Sequence, residues 1–111
     1  MNETPKAYEV WRYHMHDLES HSFHIYWIVG ITGEQTGTMF RTRKALHAET
    51  KEPIELWTNG SDVAALDNDG TLIEKPHVVF RNVYQGCETW ICPLDYFMGN
   101  FGGNPRFERI A

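Results

Sequence analysis

The amino-acid sequence predicts a mainly β protein, a small barrel or rolled antiparallel sheet with one or two short helical turns, folded as a single domain over residues 1–111. Three observations predict it. The apolar residues fall into short runs with no sustained helical period, which favours packed strands over a helical bundle. Turn-forming clusters separate those runs, namely Asn59-Gly60, Asp67-Asn68-Asp69-Gly70 and Gly102-Gly103-Asn104-Pro105. The last third of the chain carries two runs rich in valine, isoleucine and aromatics on either side of Gln85-Gly86, a hairpin signal.

Residues 1 to 6 are polar and include Pro5, an irregular start. Ala7 to Met15 alternates loosely and reads as a strand, with Trp11, Tyr13 and Met15 on one face. His14 to His21 turns the chain. Phe23 to Ile31 is the strongest strand: Phe23, Ile25, Trp27, Val29 and Ile31 line one face, and His24, Tyr26 and Ile28 the other. Being apolar on both sides, it is expected at the centre of the sheet. Gly33 to Gly37 is a turn by composition. Thr38 to His47 suits a strand or a short helix. As a strand it puts Met39, Arg41, Arg43 and Ala45 on one face. Read structurally, that is a charged edge that discourages aggregation; read functionally, it is an anion clamp built from guanidinium forks. His47 to Pro53 is a loop, Ile54 to Trp57 a strand, and Asp62 to Leu66 a helix-compatible stretch between turns. Thr71 to Ile73 leads through Pro76 into the hairpin, and Phe107 to Ile110 adds a final edge strand.

With Gln85 and Gly86 as the two loop residues, the hairpin register pairs Tyr84 with Cys87, Asn82 with Thr89 and Phe80 with Ile91. The opposite face then carries Val79, Arg81, Val83, Glu88, Trp90 and Cys92, with Arg81 directly across from Trp90. That pair is either an arginine propped on an aromatic for packing or a platform for a planar or anionic ligand. Pro93 suits the first position of a helical turn. Leu94 and Phe97 share its inner face, Gly99 stops it in a left-handed conformation, and the turn plugs one end of the barrel.

The segments Val79-Phe80-Arg81-Asn82-Val83-Tyr84 and Thr89-Trp90-Ile91-Cys92-Pro93-Leu94-Asp95, with Phe97, resemble the paired "VVY-x-x-LY" and "LWVRPL-x-x-F" strands of the small bacterial and phage family DUF1653. Tyr26-Trp27-Ile28-Val29-Gly30 and His47-Ala48-Glu49-Thr50 look like its "YEVLG" strand and "HSET" loop. The resemblance covers about half the chain in three pieces separated by longer segments. Cys92 stands where the family has arginine before the proline, so an arginine-dependent role does not carry over at that position. The resemblance implies a small curved sheet or SH3-like barrel and no assigned activity.

Composition sets further bounds. An apolar content of 41% and an aromatic content of 14% are those of a folded globular chain. A formal net charge of −5 argues against bulk binding of duplex nucleic acid through phosphate neutralisation. There is no long apolar run and no basic-then-apolar start, so neither a membrane span nor a signal peptide is expected. Cys87 and Cys92, five apart on one strand, point to opposite faces and are expected to stay reduced in a cytoplasmic setting. No cofactor motif is present, and a homo-oligomer is compatible with these features.

Three functional classes remain. The first is a binding module for a nucleotide-like or other anionic planar ligand. Its site would combine Arg81, Trp90 and Tyr84 with the loop residues His47, Glu49 and Thr50, and with Arg41 and Arg43 alongside. Aromatics supply a stacking face, arginines neutralise the anion, and the loop offers hydrogen bonds. The second is a metal-dependent enzyme using His14, His16, His21 and His24, with Asp17 and Glu19 interspersed. His14 to Asp17 resembles the start of the metallo-β-lactamase ligand run, but the next histidine is misplaced and that fold needs a longer chain. The third is a protein-interaction module using Tyr8, Trp11, Tyr13, Trp57 and Trp90 as a groove, although core packing also needs such rings. The acidic turn at Asp67 lacks the spaced ligands and terminal glutamate of a calcium loop. No Gly-x-Ser-x-Gly elbow supports nucleophilic catalysis, and His47 with Glu49 reads more simply as a turn-stabilising contact than as an acid–base pair.

Overall fold

The computed structural model describes residues 4–13, 25–34, 37–83, 88–101 and 103–111. The short apolar runs become strands, as expected for all of them but Val63–Leu66. They are β1 (Val10–Tyr13), β2 (Ile25–Ile31), β3 (Phe40–His47), β4 (Pro53–Thr58), β5 (Val63–Leu66), β6 (His77–Asn82), β7 (Thr89–Pro93) and β10 (Phe107–Arg109). Together they make one eight-stranded sheet in the order β10-β1-β2-β6-β7-β3-β4-β5. The four-residue helix α1 (Leu94–Phe97) follows β7, and β8 (Asn100–Phe101) pairs with β9 (Asn104–Pro105) in a separate ribbon.

Every pairing in the large sheet is antiparallel except that of β3 with β7, which is parallel through Leu46 opposite Trp90 and His47 opposite Ile91. The sheet rolls until Thr32, just past β2, bridges Val63 at the start of β5, where the Gly33 N–H donates to the Val63 carbonyl at 2.9 Å. The fold is therefore a rolled, barrel-like sheet.

Two cores form because β6 and β7 are buried on both faces. On one side Val78, Phe80 and Cys92 meet Trp11, Ile28, Phe97 and Phe107. Phe97 stacks on Phe107 with ring centroids 3.9 Å apart and meets Trp11 edge-on at 5.2 Å. On the other side Val79 and Ile91 meet Ala45, Ile54, Leu56 and Ala65 inside the roll. Each of the larger side chains so buried contributes about 1.5–3 kcal/mol to the fold.

Several expectations are corrected. Asp62 to Leu66 is not helical: Val63–Leu66 pairs along its length with β4, and this ladder outweighs the helix propensity of Ala64 and Ala65. β3 is a strand, but it lies between β4 and β7 rather than at an edge. It also contains a bulge at Thr42, whose hydroxyl donates to the Leu56 carbonyl. Arg41 consequently shares a face with Trp57 and Glu55, while Arg43 lies on the opposite face with Leu56, at the exposed end of the roll, so the two arginines are separated. In β2, Tyr26 and Ile28 face the aromatic core while Trp27 and Val29 remain exposed; a bulge before Gly30 brings Ile31 back inward.

The hairpin register differs from the expected one by a single residue. Phe80 lies opposite Trp90, Arg81 opposite Thr89 and Val79 opposite Ile91. One residue reverses the faces, so Trp90 and Cys92 join Phe80, and Arg81 lies on the other side of the sheet from Trp90. The expected loop residues Gln85 and Gly86, and the expected pair Tyr84 and Cys87 beside them, lie outside the described residues.

Pro93 (φ −54°, ψ 141°) caps α1 rather than opening it. The helix seals the aromatic core through Phe97 instead of plugging a barrel end. Gly99 does not have a left-handed backbone; glycine is needed because a Cβ would lie 2.9 Å from the Arg106 Nη1 and 3.3 Å from the Asp95 and Tyr96 carbonyl oxygens. Arg106 packs there, donating to the Tyr96 carbonyl at 2.8 Å with its guanidinium 3.9 Å over the Tyr96 ring. The final edge strand is present as expected, β10 pairing with β1.

Candidate functional site

The aromatic core does not close completely. Between α1, β10 and the turn after β3 it leaves a pocket of ≈ 190 Å³ whose walls include Tyr13, Tyr26, Phe80, Trp90, Tyr96 and Phe107. Strand alternation explains the wall. Tyr13 follows Trp11 on β1, Tyr26 precedes Ile28 on β2, and Phe80 pairs with Trp90 across β6 and β7. Tyr26 meets Phe80 edge-on at 5.0 Å, and Tyr13 stacks on Phe107 at 4.7 Å.

The phenols of Tyr13 and Tyr26 stay neutral. Burial raises the pKa of Tyr13, helped by the neighbouring Tyr96 to which it hydrogen-bonds. Burial also raises that of Tyr26, partly opposed by its hydrogen bond with Asn82. Each therefore presents a hydroxyl able to donate or accept. Cys92 also lines the pocket, and burial pushes its thiol up to about 12, so it is a packing residue and not a nucleophile.

The charge comes from Lys51. The His47 carbonyl accepts the Lys51 N–H at 2.8 Å, closing a turn in which Lys51 adopts φ 65°. The side chain then folds back. Its Nζ donates to the Ala48 carbonyl at 3.2 Å and stands 4.7 Å from the centroid of the Trp90 ring. His47 holds this turn from inside, its Nδ1 accepting the backbone N–H groups of Glu49 (3.2 Å) and Thr50 (3.3 Å). The turn-stabilising reading of His47 and Glu49 is the one the geometry supports.

Of the residues expected to make the site, only Trp90 lines this pocket, with His47, Glu49 and Thr50 in the turn beside it. Arg81 lies on the opposite face, with Trp27 rather than Trp90 as its cross-strand indole. Arg43 reaches the Thr89 hydroxyl on that face at 3.4 Å, and Arg41 forms an ion pair with Glu55 at 3.2 Å. Tyr84 and the histidines His14, His16, His21 and His24 lie outside the described residues. Among the described residues no group of three or more histidine, cysteine, aspartate or glutamate side chains is placed to hold a metal. At Asp67 the carboxylate instead accepts the N–H groups of Asp69 and Thr71, the ordinary work of an Asx turn.

Lys51, Tyr26, Tyr96 and Phe107 escape the sequence reading of the site, and Tyr13 enters it only as a groove residue of the protein-interaction alternative, because each comes from a different element and only the rolled sheet brings them together. The one local signal was the aromatic alternation in β1 and β2. Among the described residues no helix is long and apolar enough to cross a membrane. No family model matches the chain, and neither a curated protein nor a solved structure does so.

Proposed function

We propose that the protein is a small binding module that takes the ring of a planar, anionic, nucleotide-like ligand into the aromatic pocket. The observation that carries this reading is Lys51 poised over the Trp90 indole at a pocket walled mainly by aromatic rings. Rings offer stacking faces and the ammonium offers a counter-charge. At ≈ 190 Å³ the pocket is below the about 300–1,000 Å³ of common small-molecule sites, so it takes one ring system and leaves a phosphate outside near Lys51. A cytoplasmic setting fits this ligand class, and the likeness of β6 and β7 to the DUF1653 strands belongs to the same reading on its motif residues.

Calorimetric titration with nucleobases, nucleosides and nucleoside monophosphates tests it. The monophosphates should bind tightest. Lys51→Ala should weaken them by about tenfold while leaving the uncharged bases unchanged, and Trp90→Ala should weaken both. Absence of heat with all three classes, or monophosphate binding indifferent to Lys51→Ala, would overturn the proposal. Stabilisation by zinc that is lost in His14→Ala or His16→Ala would replace it with a metal-dependent enzyme.

A further inference from the structure

Beyond the buried Val79 and Ile91, the other face of β6 and β7 reaches solvent at the end of the roll and forms a second surface, independent of the pocket. Arg81 lies directly between two cross-strand neighbours, Trp27 on β2 and Thr89 on β7. Arg43, which faces the same way from β3, donates from Nη1 to the Thr89 Oγ1 at 3.4 Å. Phe40 pairs with Thr58, two residues from Leu56, so it shares that face as well. The result is a row across four neighbouring strands: Phe40, Arg43, Thr89, Arg81, Trp27.

Three properties together suit this row to an anionic ligand. The rings at its ends are open to solvent, Phe40 at 67% and Trp27 at 48%. Trp27 and Arg81 border an open groove of ≈ 510 Å³ that also includes Tyr8. Arg12, Arg41, Lys75 and Arg109 each sit against a carboxylate, whereas among the described residues neither Arg43 nor Arg81 does. Two guanidiniums with no carboxylate partner among the described residues, bracketing a hydroxyl that is only 3% exposed, make a local anion site in a chain of net charge −5.

We propose that this row binds single-stranded nucleic acid, with Arg43 and Arg81 on two phosphates and bases stacked on Trp27 and Phe40. Exposed rings flanking paired cations match that ligand, since every base has a stacking face and the backbone supplies regularly spaced anions. An acidic peptide would use the arginines but gives the two rings no role. A duplex hides its base faces and demands more phosphate contacts than two arginines provide.

The test is fluorescence anisotropy of a labelled oligothymidylate of about ten nucleotides, measured across a salt series. Two phosphate contacts predict a slope of log K against log salt of about −1.4, falling to about −0.7 in Arg43→Ala or Arg81→Ala. Trp27→Ala should weaken binding by about tenfold at unchanged slope. Arg12→Ala, which removes a charge from an ion pair with Glu108 on the β1–β10 pair, should alter neither. Arg12, Trp27 and Arg43 are exposed and Arg81 is half-buried, and thermal melting checks that each variant folds. No binding at about 50 mM salt, full affinity in both arginine variants, or displacement by polyglutamate as effective as by unlabelled oligothymidylate would each overturn the proposal.

Discussion

Replacing Gly99 with alanine should destabilise the protein through a residue seven positions away. The new Cβ would stand 2.9 Å from the Arg106 Nη1, which is too close, so the guanidinium must leave. Leaving costs its 2.8 Å hydrogen bond to the Tyr96 carbonyl and its position 3.9 Å over the Tyr96 ring. A hydrogen bond from a charged donor contributes about 1.5–3 kcal/mol, and this one is partly exposed, so the lower end applies. The stacked guanidinium adds about 0.5–1 kcal/mol. Against these, alanine reduces the freedom of the unfolded chain by about 0.4–1 kcal/mol. The net loss is about 1–2 kcal/mol, a fall in melting temperature of about 4–8 °C for a domain of this size. Calorimetry on the four proteins of a Gly99→Ala and Arg106→Ala cycle measures it. In the Arg106→Ala background the guanidinium is already gone, so Gly99→Ala should then cost little, the two changes falling short of additive by about 1 kcal/mol or more. Strictly additive losses would show that the carbonyls 3.3 Å away, and not Arg106, exclude a side chain at this position.

Phe97→Ala should cost about 3–5 kcal/mol in urea unfolding, because the ring is 1% exposed and stacks on Phe107 with nothing to fill its place. His77 is 5% exposed and donates from Nδ1 to the Lys75 carbonyl at 2.7 Å; burial is the larger influence and lowers its pKa from 6.5. The unfolded chain therefore takes up the proton first as pH falls, so the contribution is fully present above pH 6.5 and is lost below it as pH drops toward the folded pKa. Urea midpoints at neutral and acid pH should show this loss, and it should shrink in His77→Asn, whose amide keeps the bond to Lys75. Cys92, with its thiol at about 12, should resist alkylation in the native protein at mildly alkaline pH and react once urea unfolds the chain, as read by mass mapping of its peptide.

The strands were legible where side-chain period and pairing agreed. Trp11 and Tyr13 do share a face, β2 is an inner strand between β1 and β6, and β10 is an edge. The failures were of parity. One residue of hairpin register moved Trp90 away from Arg81, and one bulged residue, Thr42, separated Arg41 from Arg43. Neither is visible in composition, because loop length and bulge position depend on how a strand is bent by its neighbours. Asp62 to Leu66 failed for a related reason: its alanines fit a helix locally, and only β4 makes them a strand. The site suffered most, since Lys51 reaches Trp90 only through the parallel pairing of β3 with β7, a long-range contact with no local signature.

Neither hydrophobic layer owns a scaffold of its own. Val78 and Val79 are chain neighbours that serve different layers, and Cys92 and Ile91 repeat the arrangement on the adjoining strand. Stripping away the aromatic layer would wet the back of the hairpin that supports the aliphatic one, so neither half can melt in private. Heat should therefore undo the molecule in a single cooperative step, with calorimetric and van't Hoff enthalpies in agreement.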